Sequence, residues 1–570
     1  MNETVGLYLN ELIDWESYFT WRKGADVDVE AERAALYDVV QTAAAICSEM
    51  EDACRSGWEE HPTIENGAVI LPPHIQAFYD KLAEAGLVSW GVAEEYDGFG
   101  LPSFVGNLIM QMVSRADAGL MTVIGLQAGV AEDIQLYGSD ELKKQWLPLF
   151  ASGEAMGAMD LTEPQAGSDL GAITTRADEQ GDHWVVTGDK IFITNGGCRV
   201  HLVLARDGDT YDESKGTTRG LSLILVPRTL IDGTDNHVSV TRLEEKLGIH
   251  SSPTAAIHFE GSKGFLIGQK GKGFKAMLTL MNNARMGVAA QGIGIGEAAL
   301  ASAVSYARER VQFGQPIADQ PLMKDKLSGM TILLEGARAI LYRAGALIDR
   351  NRAIQEAIAR GDASEAEKSE LQAEYESNET RIRLLTPLAK YMGTEAADQI
   401  TRDAIQVHGG VGFMRESEVG KLHNDAIITT IYEGTSEIQV SFALKEIGKG
   451  ALGALFEALE TELKAFEDAE LKEYADKVLE GMQHILDASG ALLSDFSYAL
   501  MSAQSLAEVV SSVIAGAELL KQAKADRGRF DIAASWINRR MVDLESRCNR
   551  IKSGSADRLE RADRIISRVG

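Results

Sequence analysis

The spacing of apolar residues changes twice along the chain, and each change marks a change in expected secondary structure. Over residues 1–155 apolar side chains recur every three or four positions, as at Ile75, Phe78 and Leu82, which predicts an N-terminal helical domain. Over residues 156–268 the period shortens to two, in β-branched segments such as HWVVTGDKIFIT and GLSLILVP. This alternation predicts a middle β domain.

Helical periodicity returns after the β domain and continues to the end of the chain. Long Ala-, Leu- and Glu-rich stretches with few prolines predict a helical domain over 269–447 and a helical extension over 448–570. Residues 351–380 are highly charged and weakly apolar, which favours an exposed pair of long helices or a solvated excursion. The pattern therefore predicts an α+β protein with a β domain between helical regions.

Composition and charge restrict the classes of function. The 570 residues are 45% hydrophobic and 25% charged, which excludes disordered and collagen-like chains. The 85 acidic against 56 basic residues give a net charge of −29, which disfavours nucleic acid and anionic membrane surfaces as partners. The acidic N-terminus lacks the basic region of a signal peptide, and no stretch approaches 18 consecutive apolar residues. We therefore expect a cytoplasmic protein that binds no membrane.

The cysteines give no sign of a metal site or of a disulfide framework. Neither CxxC spacing nor a Cys/His ligand pattern occurs around any of them. The four cysteines are Cys47, Cys54, Cys198 and Cys548.

Three polar segments in the first part of the chain carry candidate chemistry. MDLTEPQAGSD, at 159–169, offers hydroxyl and backbone donors that suit an anion or a ring edge, or ordinary turns. KIFITNGG, at 190–197, is typical of a strand that ends at an Asn-Gly turn, and out of context it indicates a hairpin. RERVQFGQP, at 308–316, has two cations that suit a pyrophosphate and an aromatic residue that suits a ring. Alternatively, the arginines only complement the dipole of the helix that ends there.

Two further candidate segments follow in the second half of the chain. QVHGGVGF, at 406–413, has glycines that allow close backbone approach, and we interpret His408 as a packing or hydrogen-bonding histidine because no partner acid or nucleophile stands at informative spacing. IYEGTSEIQ, at 431–439, sets Glu433 in apolar surroundings, where desolvation would raise its pKa toward that of a useful base. The glycine run GIGIG at 292–296 follows no strand, so close helix packing explains it better than a dinucleotide fingerprint.

In this order and at these separations, the five segments resemble the acyl-CoA dehydrogenase family over about residues 82–447. The resemblance implies a helical domain, a β-barrel-like domain and a four-helix bundle, to which this chain adds its helical extension. The charged segment and the extension are similar to those of the larger bacterial branch that includes 3-methylmercaptopropionyl-CoA dehydrogenases.

By this resemblance the chain binds FAD, and the family completes that site across a subunit interface, so a homodimer or a tetramer of dimers is implied. Arg310 and Phe313 would reach the adenine and pyrophosphate side from that interface. The residues implied to contact the cofactor are Leu161, Thr162, Gly167, Ser168, Phe192, Ile193, Thr194, Arg310, Phe313, Gln406, Gly410, Thr435 and Glu437. Those implied to contact the acyl-CoA are Ser168, Asn282, Arg285 and Gly434.

Glu433 matches the catalytic base in the family's Tyr-Glu-Gly-Thr motif. Some branches carry the base one position before the arginine that matches Arg285, where this chain has Ala284. The implied reaction is α,β-dehydrogenation of an acyl-CoA to the trans-2-enoyl-CoA, with Glu433 removing the α-proton and the flavin accepting the β-hydride. The electrons would then pass to an electron-transferring flavoprotein.

Four positions depart from the family pattern, so flavin tuning and CoA contacts are expected to differ. Met159 and Phe192 stand where an aromatic residue and Trp are frequent, and Asn282 and Glu437 where Asp and Gln are common. One alternative function is a 3-methylmercaptopropionyl-CoA dehydrogenase in methylthio-acid breakdown, and another is an oxidase that reduces oxygen directly. A third is an alkylation-response flavoprotein, against which the charge of −29 and the retained Glu433 both count.

Overall fold

The computed structural model describes residues 3–361, 364–492, 495–555 and 557–569. The helices are α1 (Glu3–Leu7), α2 (Trp15–Lys23), α3 (Val29–Ser56), α4 (Pro73–Glu84), α5 (Ser103–Ala116), α6 (Ala118–Tyr137), α7 (Asp140–Ala151), α8 (Tyr211–Ser214), α9 (Gly273–Glu309), α10 (Pro321–Arg360), α11 (Glu365–His408), α12 (Glu418–Thr429), α13 (Ser436–Gly448), α14 (Ala451–Lys464), α15 (Ala469–Gly490), α16 (Phe496–Ala525), α17 (Phe530–Ser553) and α18 (Asp557–Ile566). The strands are β1 (Thr63–Glu65), β2 (Ala68–Ile70), β3 (Gly157–Asp160), β4 (Arg176–Gln180), β5 (His183–Thr194), β6 (Val200–Asp207), β7 (Leu221–Pro227), β8 (Val238–Leu243), β9 (Thr254–Ile267), β10 (Val311–Gln312) and β11 (Gln315–Pro316).

The chain divides into two compact units. The bundle unit comprises Met1–Tyr37, Val288–Phe413 and Thr429–Gly570, and the barrel unit comprises Asp38–Gly287 and Met414–Ile428. The predicted organisation in four domains stays a prediction.

Seven strands of the barrel unit form one sheet that closes on itself. Strand β6 pairs with β4 and β7, β7 pairs with β9, and β5 joins β9 to β4, so these five strands make a ring. Strand β3 is added parallel to β6, and β8 antiparallel to β9. Closure pairs both edges of each of the five ring strands, which leaves none of them open to an added strand. The ring confirms the expected β-barrel-like architecture.

Two apolar cores stabilise the barrel unit. One core contains the inward side chains of Val186, Val203 and Phe259. The other packs Trp146 and Phe150 of α7 against the opposite face of the sheet. Every residue of β6 and β7 is buried, because these strands are covered on both faces.

Long helices form the bundle unit, in which α10 and α11 pack along each other. The charged segment 351–380 lies in the end of α10 and the start of α11, where Ser364 and Glu367 form a reciprocal cap. A Cβ atom at Gly292 would lie 2.5 Å from the carbonyl oxygen of Gly393, so α9 and α11 cross in close contact. The glycines of the 292–296 run therefore serve helix packing.

Two helices of the described chain are long and apolar enough to cross a membrane. They are α9 and α16, and 72% of the most apolar window of each is buried within the protein. Such burial is usual for core helices.

Candidate functional site

The loop after β3, residues 161–168, is fixed to strand β5 by a buried ion pair. Glu163 and Lys190 are both almost fully buried, and the Lys190 Nζ lies 2.8 Å from the Glu163 Oε1. The same ammonium donates to the carbonyl oxygens of Leu161 at 3.0 Å and Leu204 at 2.8 Å, so its three N–H groups are satisfied. The loop is thereby held against the barrel.

Electrostatics keep this pair ionised. Burial by itself would raise the pKa of Glu163, but the Lys190 ammonium and hydrogen bonds from Thr174 and Thr175 outweigh it and lower that pKa to about 2. The Thr174 and Thr175 amides donate to the two carboxylate oxygens at 2.7 and 3.0 Å. Burial lowers the pKa of Lys190, while the Glu163 charge opposes that shift.

A bulge in β5 brings the second predicted segment beside this loop. The Ile191 amide donates to the Thr162 carbonyl at 2.9 Å, and the pairing of β5 with β9 shifts register between Lys190 and Ile193. Phe192, within this bulge, has φ +58° and a side chain that is 60% exposed. An exposed aromatic ring therefore stands next to the hydroxyl-bearing loop.

The predicted flavin-contacting residues differ in how they face this surface. Thr162 and Thr194 are half-buried, and Ser168 is exposed. Ile193 is 2% exposed and belongs to the barrel core, so it presents only its backbone. Gly167 is exposed, and a Cβ atom there would meet nothing within 4 Å.

The Asn-Gly turn after β5 is a corner between two strands that do not pair. Asn195 has φ +59°, as such a turn requires, and its side-chain amide donates to the Gly157 carbonyl at 3.0 Å. Strand β5 pairs with β4 and β9, whereas the following β6 pairs with β3, β4 and β7. The hairpin interpretation was therefore wrong, because β5 and β6 each pair with other strands of the barrel.

The predicted acyl-CoA contacts on α9 also belong to the barrel unit. Arg285 is 4% exposed and donates from Nη1 to the Asn282 Oδ1 at 2.9 Å. Asn282 itself is exposed. Ala284, at the alternative base position, packs against the apolar core and has no group that accepts a proton.

In the bundle unit, Glu433 lies in a tight turn between α12 and α13. Glu433 has φ +53° and Gly434 has φ +90°, so two consecutive residues adopt the left-handed conformation. For a glutamate this conformation costs on the order of 1 kcal/mol or more, and it persists only where its surroundings enforce it. A strained residue in a polar turn is typical of functional sites.

Two buried side chains enforce that conformation. Gln439 donates from Nε2 to the carbonyl oxygens of Glu433 at 2.9 Å and Gly434 at 3.1 Å. Lys390 donates from Nζ to the Gly434 carbonyl at 2.9 Å, and both donors are 0% exposed. The Glu433 side chain is half-buried. Sequence reasoning included Gln439 only as the last residue of the 431–439 segment and gave it no role. It did not name Lys390, because that residue lies 44 positions before Gly434 and reaches it only in the folded chain.

Thr435 and Glu437 begin the helix that follows the turn. The Thr435 hydroxyl caps α13 by accepting from the Ile438 amide at 3.5 Å. Glu437 is exposed, and a hydrogen bond from Thr435 is the main cause that lowers its pKa. A carboxylate in a first helical turn also interacts favourably with the helix dipole.

The third and fourth predicted segments meet at one end of the bundle unit. The rings of Tyr306, on α9, and His408, on α11, stack with centroids 4.3 Å apart. The His408 Nδ1 lies 2.8 Å from the Ala404 carbonyl oxygen, which agrees with the interpretation of a packing histidine. Arg310 follows four residues after Tyr306, and Gln406 and Gly410 flank His408, so these three residues lie at the same end.

Apolar side chains are exposed at this end of the unit. Phe313, at the tip of the β10–β11 hairpin, is 96% exposed, and Phe413 is 84% exposed. A contiguous exposed apolar patch marks an interaction site, whereas single exposed apolar residues are ordinary. The predicted site residues thus form two groups, one in each compact unit.

Three models of one family match most of the chain. They describe the acyl-CoA dehydrogenase N-terminal domain at residues 43–154, the middle domain at 158–262, and the C-terminal domain at 271–368 and 369–448.

Individual relatives agree with this match. The chain is 34% identical over 454 residues to 3-methylmercaptopropionyl-CoA dehydrogenase of Ruegeria pomeroyi, covering 76% of this chain and 73% of the relative. It is 34% identical over 363 residues to the mitochondrial short-chain specific acyl-CoA dehydrogenase of Bos taurus, covering 63% and 79%. The crystal structure of an acyl-CoA dehydrogenase complexed with FAD from Bacillus anthracis superposes with a TM-score of 0.74 and 25% identity, covering 97% of this chain and 93% of that one.

Proposed function

This chain belongs to the acyl-CoA dehydrogenase family, and we propose that it converts an acyl-CoA to the trans-2-enoyl-CoA with Glu433 as the base. It is an oxidoreductase that acts on acyl-CoA, and its cofactor is FAD. The observation that supports the role of Glu433 is the left-handed conformation of its turn. Gln439 and Lys390 hold this turn by hydrogen bonds to its backbone carbonyls. Because the backbone is fixed at both carbonyls, the Glu433 side chain leaves the turn from a fixed position before substrate arrives.

The barrel unit offers a surface that fits FAD. The exposed Phe192 ring suits contact with a flat ring system, and the hydroxyls of Thr162, Ser168 and Thr194 suit its polar edge. The ion pair of Glu163 with Lys190 fixes the spacing between the two segments that bear these groups. When bound, FAD supplies the acceptor for the hydride that leaves the β-carbon.

The side chains of this protein would remove the α-proton and bind the substrate. The α-hydrogen of a thioester is weakly acidic, so its removal needs a carboxylate held close to it and away from bulk water. Glu433 supplies this carboxylate, whereas Ala284 at the alternative position has nothing to supply. Asn282 and Arg285 would bind the CoA portion, and Gly434 would present its backbone to the acyl chain. The space that a Cβ atom at Gly434 would need is taken by Gln439 and Ile438.

The variant Glu433→Gln tests this assignment. It should keep its FAD content, while the rate of anaerobic flavin bleaching by acyl-CoA should fall by about 10²–10⁴-fold, because the amide cannot accept the proton. Glu416→Gln changes an exposed carboxylate earlier in the chain and should bleach at the unchanged rate. Rapid bleaching in Glu433→Gln would exclude Glu433 as the base.

A methylthio-acyl thioester is the more specific substrate candidate. In its favour, the similarity to 3-methylmercaptopropionyl-CoA dehydrogenase extends over 454 residues, against 363 for the short-chain enzyme. Anaerobic titration with short, long, branched and methylthio acyl-CoAs would separate the candidates. A kcat/KM for the methylthio substrate at least tenfold above that for straight chains of equal length would support it, and a lower value would exclude it.

An electron-transferring flavoprotein is proposed as the electron acceptor, in a homodimer or a tetramer of dimers located in the cytoplasm. The exposed Phe313, three residues after Arg310, and the exposed Phe413, three residues after Gly410, support a subunit interface at that end of the bundle unit. Light scattering of the FAD-loaded protein tests the assembly, and a monomer would contradict it. Stoichiometric release of hydrogen peroxide in air would identify an oxidase instead.

A further inference from the structure

A cavity of about 200 Å³ lies within the bundle unit, apart from all residues assigned to FAD or acyl-CoA. Its walls come from the N-terminal segment, from the charged parts of α10 and α11, and from α14 and α16. The N-terminal, α14 and α16 walls lie outside the stretch of 43–448 that the family models match. The cavity is therefore a feature that this chain adds to the family core.

Two of its three arginines are paired with carboxylates. Arg343 is 6% exposed and donates to Glu462 at 2.6 and 2.8 Å and to Glu518 at 2.9 Å. Arg350 pairs with Glu374 and lies 3.3 Å from Asp14. The positive charges of Arg343 and Arg350 are thus balanced locally.

The third arginine, Arg381, makes no direct ion pair with a carboxylate of the described residues, although the charges of Glu462 and Glu374 favour its charged form. Its Nη2 donates to the neutral side chain of Asn378, and no carboxylate of the described residues comes within ion-pair distance of it. Its Nε is buried without a hydrogen-bond partner. Burial, and after it the charge of Arg343, lower the pKa of Arg381. Arg381 is half-buried, and its Nε is the part of the guanidinium that has no partner among the described residues, so an anion that reached it would gain a charge-assisted hydrogen bond.

The rest of the lining limits which anion fits. Leu12, Ile13, Leu347 and the Trp21 ring supply an apolar wall. The carboxylates near Arg343 and Arg350 would repel a second negative charge. A volume of about 200 Å³ corresponds to roughly seven waters at ~30 Å³ each, which suits an organic molecule of roughly six to ten non-hydrogen atoms.

We propose that this cavity binds a small organic monocarboxylate, with its carboxylate on Arg381 and its apolar part against Leu347 and Trp21. Ligand binding joins the N-terminal segment to helices α10, α11 and α16, which are far apart in sequence. A ligand that binds only when these segments are assembled stabilises the folded state, so the melting temperature reports binding.

The test uses the FAD-loaded full chain with hexanoate and benzoate as probes, and with chloride and inorganic phosphate at matched ionic strength. Hexanoate or benzoate should raise the melting temperature with saturation, without changing the visible flavin spectrum, while phosphate and chloride should not. In Arg381→Gln the Kd from calorimetry should rise about tenfold or more, because the charged hydrogen bond is lost. Arg383→Gln, two residues along α11 and exposed, should bind as the parent does.

Three results would overturn the proposal. The first is a melting temperature that neither hexanoate nor benzoate raises, and the second is an equal rise with phosphate. The third is an unchanged Kd in Arg381→Gln. Should Arg381→Gln fail to fold, Ala346→Leu narrows the cavity and leaves Arg381 in place. Its Kd should also rise, and unchanged affinity would place the carboxylate elsewhere.

Discussion

Replacing Lys190 by methionine removes the charge that holds the 161–168 loop on the barrel. The ammonium makes three hydrogen bonds of 2.8–3.0 Å, to Glu163, Leu161 and Leu204, and methionine fills similar volume without replacing any of them. Glu163 would stay buried without its counter-charge. We expect both the fold and the flavin surface to be weakened.

The size of the effect follows from the burial of both groups. Breaking a buried ion pair on one side costs about 3–5 kcal/mol, because it leaves an uncompensated charge. The double variant Glu163→Gln with Lys190→Met removes that charge and should recover part of the loss. Lys215→Met removes a lysine in an exposed ion pair and should change the free energy of unfolding by less than about 1 kcal/mol.

Urea unfolding at pH 7 and fixed FAD concentration measures these differences. The pKa of Glu163 is lowered to about 2 in the fold, below its ordinary value. Its contribution to stability is therefore complete above about pH 4.5 and is lost as pH falls toward 2. A Lys190→Met cost below about 1 kcal/mol, or a double variant no more stable than the single one, would refute the reasoning.

Two further variants test other buried features. Burial, with a smaller effect of Glu132, raises the pKa of Asp133 to about 8, and neither carboxylate oxygen has a hydrogen-bond partner among the described residues. In the unfolded chain the Asp133 carboxyl ionises near pH 4, whereas in the fold it stays protonated up to about pH 8. The free energy of unfolding of the parent should therefore fall by about 1.4 kcal/mol per pH unit between roughly pH 4 and 8, relative to Asp133→Asn. Parallel pH profiles of the two proteins would disprove this. Gly292→Val would push a side chain into the Gly393 backbone and should lower the melting temperature by several degrees more than Gly453→Val, where a Cβ meets nothing within 4 Å.

Local patterns predicted the elements that build both halves of the candidate site. Alternation over 156–268 indicated the strands between Gly157 and Ile267, because successive side chains of a strand point to opposite faces of the sheet. The return of helical period after Gly273 coincides with the start of α9. For residues 351–380 the sequence predicted either a pair of long helices or a solvated excursion. The structure has the helices, because α10 and α11 pack along each other.

Sequence reasoning did not identify the role of the buried lysines that hold the site, and the reason is physical. Lys190 stands inside a predicted strand, where its neighbours in sequence gave no sign that a carboxylate 27 positions earlier would neutralise it. Lys390 lies 44 positions before the turn that it holds. A buried charge is tolerated only where distant segments deliver its partners, so its position in the sequence says little about its role.

The sequence by itself determined the family and the class of reaction, since both depend on residue types at fixed local spacing, and Glu433 as the base stays a prediction. Tertiary structure decided which segments meet. The barrel ring placed Phe192 beside Thr162. In the bundle unit, Tyr8 reaches Glu518 across 510 positions, and both residues line the cavity there. Such contacts depend on the free energy of the whole assembled core, which no short stretch of sequence carries.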